Sequence, residues 1–460
     1  GLSQFGFIGC IGVLFCWLAG YSLLPLWLYQ FESRFPSKEW RHPFASYLSS
    51  RMIRIGNWLT DHAAISTFAL IGFSAVGFFG FSNLYRNPVE YNFDNMRNKI
   101  AMSSGTEATE RRINEVFSTS RTPSIVLLDS LEQAEEICPT VEKLASSLPS
   151  EENVIHSCMS IYSVLPKPLP NEDARVSEMK QIINLLQDKS LKHSKHWEKL
   201  RGFQEKLTLS KPTIKDIPFQ LLRRFTEKNG KIGTVAFINP DSDKPLNDGV
   251  NLLNFTKSLT QIKLPKTNTT VSASGDSFIL ADLLRGLKID GPLTSLVALV
   301  AVVLIAMFLA GSFTSGILMC LCLLLGTWWL LCLQGAFDIK YNFFNFIALP
   351  LTFGIGIDYP INIFVRCRQE NYKNYGNILA TSGTAVILCS LTTIIGYYTL
   401  LGATNLALVS FAKLALIGEI TCLVAALILL PVLLKAIGRF KEKSSSDGEA
   451  ENNIHNRIAK

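Results

Sequence analysis

An α-helical polytopic membrane bundle carrying a large α+β extracytoplasmic domain is the fold class this sequence predicts. Apolar runs long enough to cross a bilayer gather toward the two ends of the chain, and a polar insert of domain size separates them. The composition agrees: 460 residues, 48% hydrophobic, only 18% charged, mean hydropathy +0.25, where a soluble domain carries about 25% charge. An ordinary soluble enzyme and a disordered chain are both excluded. The chain opens at Gly1 and enters an apolar run almost at once, which suggests a segment of a longer or processed protein.

A helix needs about 20 apolar residues to cross a bilayer. The stretches that qualify are Phe5–Leu28, Ala63–Phe81, Pro292–Ala310, Ser315–Leu333, Phe343–Phe364, Ile378–Leu401 and Leu406–Leu434. The first is not a signal peptide, because it lacks a basic start and ends in Leu24-Pro25-Leu26-Trp27 instead of small residues. Lys and Arg in the short loops set the orientation. Arg34, Lys38, Arg41, Arg51 and Arg54 lie between the first two spans, and Arg366, Arg368 and Lys373 follow the fifth. The tail adds Lys435, Arg439, Lys441, Lys443, Arg457 and Lys460, whereas the opposite short loops offer only Lys340. The basic side is expected in the cytoplasm, with Gly1 outside and Lys460 inside. The net charge of +7 is then a topology signal, and no nucleic acid is implied.

Between the first two spans, Phe44, Leu48, Met52, Ile55 and Leu59 recur at helical spacing. This predicts an amphipathic helix on the inner membrane surface; a linker helix packed on the bundle is the alternative. The insert, residues 84–290, alternates strand and helix. Ser124–Asp129, Lys231–Ile238 and Thr269–Ala273 read as strands, Leu131–Leu148 and Val250–Leu259 as helices, with a charged helical stretch at about Glu172–Leu207. That alternation predicts an α+β sandwich. No metal-ligand spacing, phosphate loop or nucleophile elbow appears, so no metal or cofactor is expected. His193 and His196 read as a solvated helix face. Of ten cysteines only Cys138 and Cys158 fall in the insert, where an oxidising compartment would let them pair.

The first and last spans resemble each other. Ile11-Gly12, Cys16 and Pro25 recur at the same spacing as Ile417-Gly418, Cys422 and Pro431, with Phe5 matching Phe411. A duplicated membrane protein is the economical reading. Residues 1–29 then close a missing first half. Residues 30–62 form a cytoplasmic connector, 63–83 a span, 84–290 the outer domain, 291–434 a five-helix bundle and 435–460 a basic tail expected to be disordered.

Ionisable residues inside spans are functional candidates. Asp358 stands in Gly354-Ile-Gly356-Ile-Asp358-Tyr359-Pro360. Gly354, four residues earlier, shares its helix face and should let a neighbouring helix approach. A carboxyl in such a dry interface can load and unload a proton as its surroundings change. Tyr359 offers a hydroxyl and Pro360 a point of bending. A structural, hydrogen-bonded Asp is the other reading. Glu419 in the last span is either a relay accessory or a structural carboxylate. Lys413 should snorkel to the interface. Thr392-Thr393 are more simply read as bonding their own backbone.

Several of these segments together resemble one family. Gly275 through Asp290, Asn345-Phe-Ile-Ala-Leu349-Pro350 leading into Gly354–Tyr359, Leu391-Thr-Thr-Ile-Ile-Gly396 and Leu430-Pro431 resemble the C-terminal half of a resistance-nodulation-division (RND) superfamily transporter. Within it the likeness is to MMPL-like and hopanoid-transporter-like exporters, over about Ser274–Leu434. The resemblance implies a proton-driven exporter of the bacterial inner membrane, not an enzyme. It implies amphiphilic, lipid-like substrates and an outer porter domain with ferredoxin-like subdomains. The relay would be Asp358 and Tyr359, working with a matching pair in the first half and supported by Gly354, Gly356, Thr392, Thr393 and Glu419. Membrane lipids and the missing half are the implied partners, with a homo-oligomer left open. Two departures stand out: Pro360 follows the pair where a small residue is usual, and Thr384 stands where a basic residue is common. A lipid- or sterol-sensing scaffold that does not pump is the rival reading.

Overall fold

A computed structural model describes residues 2–34, 43–100, 123–165, 172–186, 214–370 and 374–458, with a few isolated positions between 105 and 116. Lys38, Arg41, His193, His196, Lys373 and the second half of the charged stretch lie outside the described residues. In chain order the main helices are α1 (Leu2–Arg34), α2 (Pro43–Asp61), α3 (Ala63–Arg86), α4 (Leu131–Ser147), α5 (Glu172–Leu186), α6 (Gly249–Leu259), α7 (Asp276–Ala310) and α8 (Phe313–Ala336). They continue with α9 (Ala348–Gln369), α10 (Tyr375–Leu400) and α11 (Leu406–Ile458). The strands are β1 (Ser124–Leu127), β2 (Ile155–Met159), β3 (Val235–Pro240), β4 (Ile262–Leu264), β5 (Thr269–Val271) and β6 (Ala273–Ser274). Among the described residues seven helices are long and apolar enough to span a membrane: α1, α3, α7 to α10, and α11 as far as Lys435. The chain divides into two compact units, one of residues 71–358 and 390–425, the other of residues 1–70, 359–389 and 426–460.

The polar insert lies in the first of these units. Its four-stranded sheet has the order β2-β3-β1-β6, antiparallel throughout. Val126 pairs with Ala236 in the centre, and both are fully buried with Ile137 and Val141 of α4, Ile238, and Phe255 and Leu259 of α6. The other face of β1 is open, with Leu127 74% exposed. Alternation along the strand therefore puts α4 and α6 on one side only. Both helices start at side-chain caps that satisfy first-turn amides: Ser130 accepts from Gln133 N, and Asp248 from Val250 N and Asn251 N. Cys138 of α4 and Cys158 of β2 are bonded.

Few of the described residues are in strands, so the large α+β domain the sequence predicts is only partly seen. The predicted strand at 231–238 begins later because Thr226–Ile232 closes a turn and Gly233 adopts φ +83°. The strand predicted at 269–273 breaks into β5 and β6, which join different sheets.

Among the spans of this unit, small residues let helices touch. A Cβ at Gly77 of α3 would lie 2.8 Å from Cys332 Sγ of α8. Asn83 Nδ2 donates to Gly335 O at 2.9 Å, and Trp329 Nε1 to Ser74 Oγ at 2.9 Å. Helix α7 starts at Asp276, well before the predicted span, because Ala281, Leu284 and Leu287 form a buried stripe ahead of Pro292. Gly311, at φ 62°, ends α7, and α8 starts two residues later.

In the second unit α2 packs on the first turns of α10. A Cβ at Gly56 would meet Gly376 Cα at 3.0 Å, and Met52, Leu59 and Thr60 are buried beside it. Phe44 and Ile55, on the expected membrane-facing stripe, are exposed. Lys435 Nζ donates to Thr60 O at 2.6 Å and lies 3.6 Å from the Asp61 carboxylate. Residues 379–383 of α10 form a π-helical turn. The described side chains of α1 are exposed almost without exception. The backbone of α11 is helical to Ile458, where the sequence predicts disorder after Leu434.

Candidate functional site

Helix α9 has two unlike faces. On one, Thr352, Phe353, Gly356 and Ile357 are buried. A Cβ at Gly356 would lie 2.8 Å from Cys422 Sγ of α11, and one at Gly326 of α8 would lie 2.7 Å from Cys422 Cα. Cys422 thus fills a slot between two glycines, where any larger group would separate three helices. One turn away, a Cβ at Gly418 would lie 2.5 Å from Thr352 Oγ1, whose hydroxyl donates to Ala348 O.

On the other face Leu351, Gly354, Asp358, Asn362 and Val365 are exposed at three- and four-residue spacing. A Cβ at Gly354 would meet nothing within 4 Å. The sequence predicts Gly354 as the point of close helix approach and Asp358 as an acid in a dry interface. Within the described chain Gly356 takes the first role, and Asp358 lies on an open face. The spacing argument correctly groups Gly354 with Asp358, but not which face the bundle covers. Tyr359, the next residue, is 3% exposed.

Glu419 is 3% exposed and accepts a hydrogen bond from Ser390 Oγ of α10 at 2.7 Å. A buried carboxyl needs such a donor, and Ser390 was not singled out from the sequence. Its signal was available: it stands two residues before Thr392-Thr393 in an otherwise apolar run. Thr392 is exposed and Thr393 half-buried, while Lys413 is exposed. A second polar cluster also escaped the sequence reading. Asn345, fully buried, donates through Nδ2 to Ser410 Oγ at 2.8 Å, and Asn342 N donates to Asn345 Oδ1 at 2.8 Å. It ties the start of α9 to α11. No cluster of three or more His, Cys, Asp or Glu suited to a metal occurs among the described residues.

A cleft of about 810 Å³ lies between the end of α3, the middle of α7, the start of α9 and nearby residues of the insert. Arg86, Glu90, Lys288, Lys340 and Tyr341 are among its polar lining residues, and Leu287, Pro292, Phe346 and Leu349 among its apolar ones.

The model of the MMPL family matches residues 172–460, more than half of the sequence. The chain belongs to the MMPL family. This places it in the RND superfamily and among membrane proteins, in keeping with its seven candidate spans. The MMPL chain is 25% identical over 245 residues to the hopanoid transporter HpnN of Rhodopseudomonas palustris, a match covering 51% of the chain and 26% of that relative. It is 27% identical over 147 residues to a protein of Methanocaldococcus jannaschii named as a membrane protein, covering 31% of the chain and 38% of the relative. Among solved structures it is similar to the hedgehog release protein Disp from the water bear Hypsibius dujardini, at 13% identity and a TM-score of 0.41, over 85% of this chain and 48% of that one. The matches thus take in well under half the length of the curated relatives.

Proposed function

We propose that this MMPL chain is part of a proton-driven exporter of amphiphilic, lipid-like molecules in the bacterial cytoplasmic membrane. Residues 84–290 form a porter-like periplasmic domain with ferredoxin-like subdomains, and the basic loops face the cytoplasm. Asp358 and Tyr359 carry the proton. The observation that supports this most is the two-faced α9. Its small-residue side is closed by α11, and the side that carries Gly354 and Asp358 is open. A second helical unit with its own acidic pair covers that open side in the complete protein and completes the dry interface the relay needs. Proton entry from the outside draws about 2.3 kcal/mol per charge per 100 mV. Protonation of Asp358 favours one of two packings of this interface, and the outer domain follows as a population shift. Glu419, held by Ser390, serves as a structural carboxylate between α10 and α11.

The test is Asp358→Asn in the complete protein, reconstituted in liposomes with an imposed proton gradient. Substrate flux should vanish while the amount of inserted, folded protein stays unchanged. Full flux in this variant discards the relay. Flux that ignores the gradient in the native protein leaves a lipid-binding scaffold as the better reading.

A further inference from the structure

The cleft between the end of α3, the middle of α7 and the start of α9 has both cationic and apolar lining. Pro292, Phe346 and Leu349 stand near the starts of the apolar stretches that begin at Pro292 and Phe343, so this wall is apolar. Arg86 ends α3, and Lys288 and Lys340 precede Pro292 and Phe346 in the chain, on the side of the insert. The rim is fixed by backbone pairing: Val89 bridges Tyr341, and Glu90 N donates to Tyr341 O at 2.8 Å.

Its charges are unequally engaged. Glu90 accepts from Asn92 N and Asn95 Nδ2, both at 2.9 Å. Asp248 accepts from Val250 N at 2.7 Å as the cap of α6, where a helix N-terminus stabilises its charge. Both carboxylates are turned to the protein. Among the described residues, none of Arg86, Lys288 and Lys340 forms an ion pair, and Lys288 Nζ rests 5.0 Å over the Tyr91 ring. Cations held beside an apolar wall suit an anion that brings its own tail.

We propose that this cleft binds an amphiphile with an anionic headgroup, the headgroup on Arg86, Lys288 and Lys340 and the tail over Pro292, Phe346 and Leu349. This rests on the chain being a carrier of lipid-like molecules and names the class carried. The anion is either the phosphate of a phospholipid drawn from the bilayer or the carboxylate of a free fatty acid.

Photo-crosslinking decides it. The complete protein in phosphatidylcholine nanodiscs is exposed to diazirine-bearing phosphatidylglycerol, palmitate or neutral hexadecanol. The labelled peptides of the native protein should contain Pro292, Phe346 or Leu349. An anionic probe should label them about tenfold more than hexadecanol, the equivalent of one charged contact. Which anionic probe wins identifies the source. The double variant Lys288→Gln, Lys340→Gln should lose that preference, and Lys288→Arg with Lys340→Arg should keep it. Leu349→Trp should block every probe. Equal labelling by hexadecanol, anionic labelling confined to other peptides, or an unchanged preference in the Gln variant overturns the proposal. The native-protein pattern is read without any variant, so a misfolded mutant does not decide the result. Labelling here without gradient-dependent flux leaves the cleft standing and removes the pump; gradient-driven flux without labelling does the reverse.

Discussion

Helices α1 and α11 carry the same small-residue spacing and meet opposite fates. In α11, Gly418 lies against Thr352, and Cys422 sits between Gly326 and Gly356. In α1, Gly12 has nothing within 4 Å of a Cβ, and Cys16 is exposed. Spacing alone therefore does not pack a helix. What closes the slot in α11 is a glycine on each of two neighbours, α8 and α9, at the same depth. A pattern of small residues marks a surface able to receive a helix, and the partner decides whether one arrives.

The largest expected effect breaks the closed side of this comparison. Gly356→Leu or Gly326→Leu pushes a side chain into the space of Cys422 and should cost about 3 kcal/mol, the upper end for overpacking, read as a lower thermal midpoint of the detergent-purified protein. Gly12→Leu sharpens the open side. If α1 packs in the complete protein as α11 packs here, the same substitution there costs a similar amount. A midpoint unchanged by Gly12→Leu would make the likeness of the two helices an accident of sequence. The covalent closure of the insert offers a reference of similar size: for a sequence separation of 20, losing Cys138–Cys158 should cost about 3 kcal/mol by loop entropy, measurable by unfolding with and without reductant.

A smaller effect is expected where α11 differs from α1 by a charge, Glu419 against Val13. Glu419→Leu leaves the Ser390 hydroxyl buried without its acceptor, at a cost of about 1–3 kcal/mol. Ser390→Ala in the same background should recover part of it, and additive losses would deny the pair any coupling.

The smallest effect lies in the exposed turn before β3. Hydrogen bonds from Thr234, then from Asn229, with the nearby Lys231 charge, hold Glu227 below the usual carboxylate range. A lowered folded value gives stability that is present above the unfolded pKa and fades as pH falls through the folded one. Glu227→Gln should flatten that acid limb in a pH series of domain unfolding, and an unchanged limb would assign it elsewhere.

The spans were legible because bilayer thickness demands long apolar runs, and their number follows from the sequence. The helices of the insert were legible as well, from Leu131, Ile137 and Val141 at helical spacing. β2 was not: Ile155-His-Ser-Cys-Met159 lacks the apolar alternation that marks a strand, and it is held by pairing to β3. For the candidate site, the sequence grouped Gly354 with Asp358 correctly but could not say which side of α9 the bundle covers. In a mostly apolar helix the covered side is not evident until a neighbour with a matching notch, here Cys422, is known. The Ser390–Glu419 bond escaped for a related reason, since its partners are distant in sequence.

The sulfur bridge in the insert has one more consequence. It can form only where thiols are kept oxidised, so it reports sidedness independently of the count of basic loop residues. Alkylation of the protein in intact cells would act as a compass: a blocked Cys138–Cys158 pair points the sheet away from the reducing interior. Redox chemistry and loop charge must then give the same bearing.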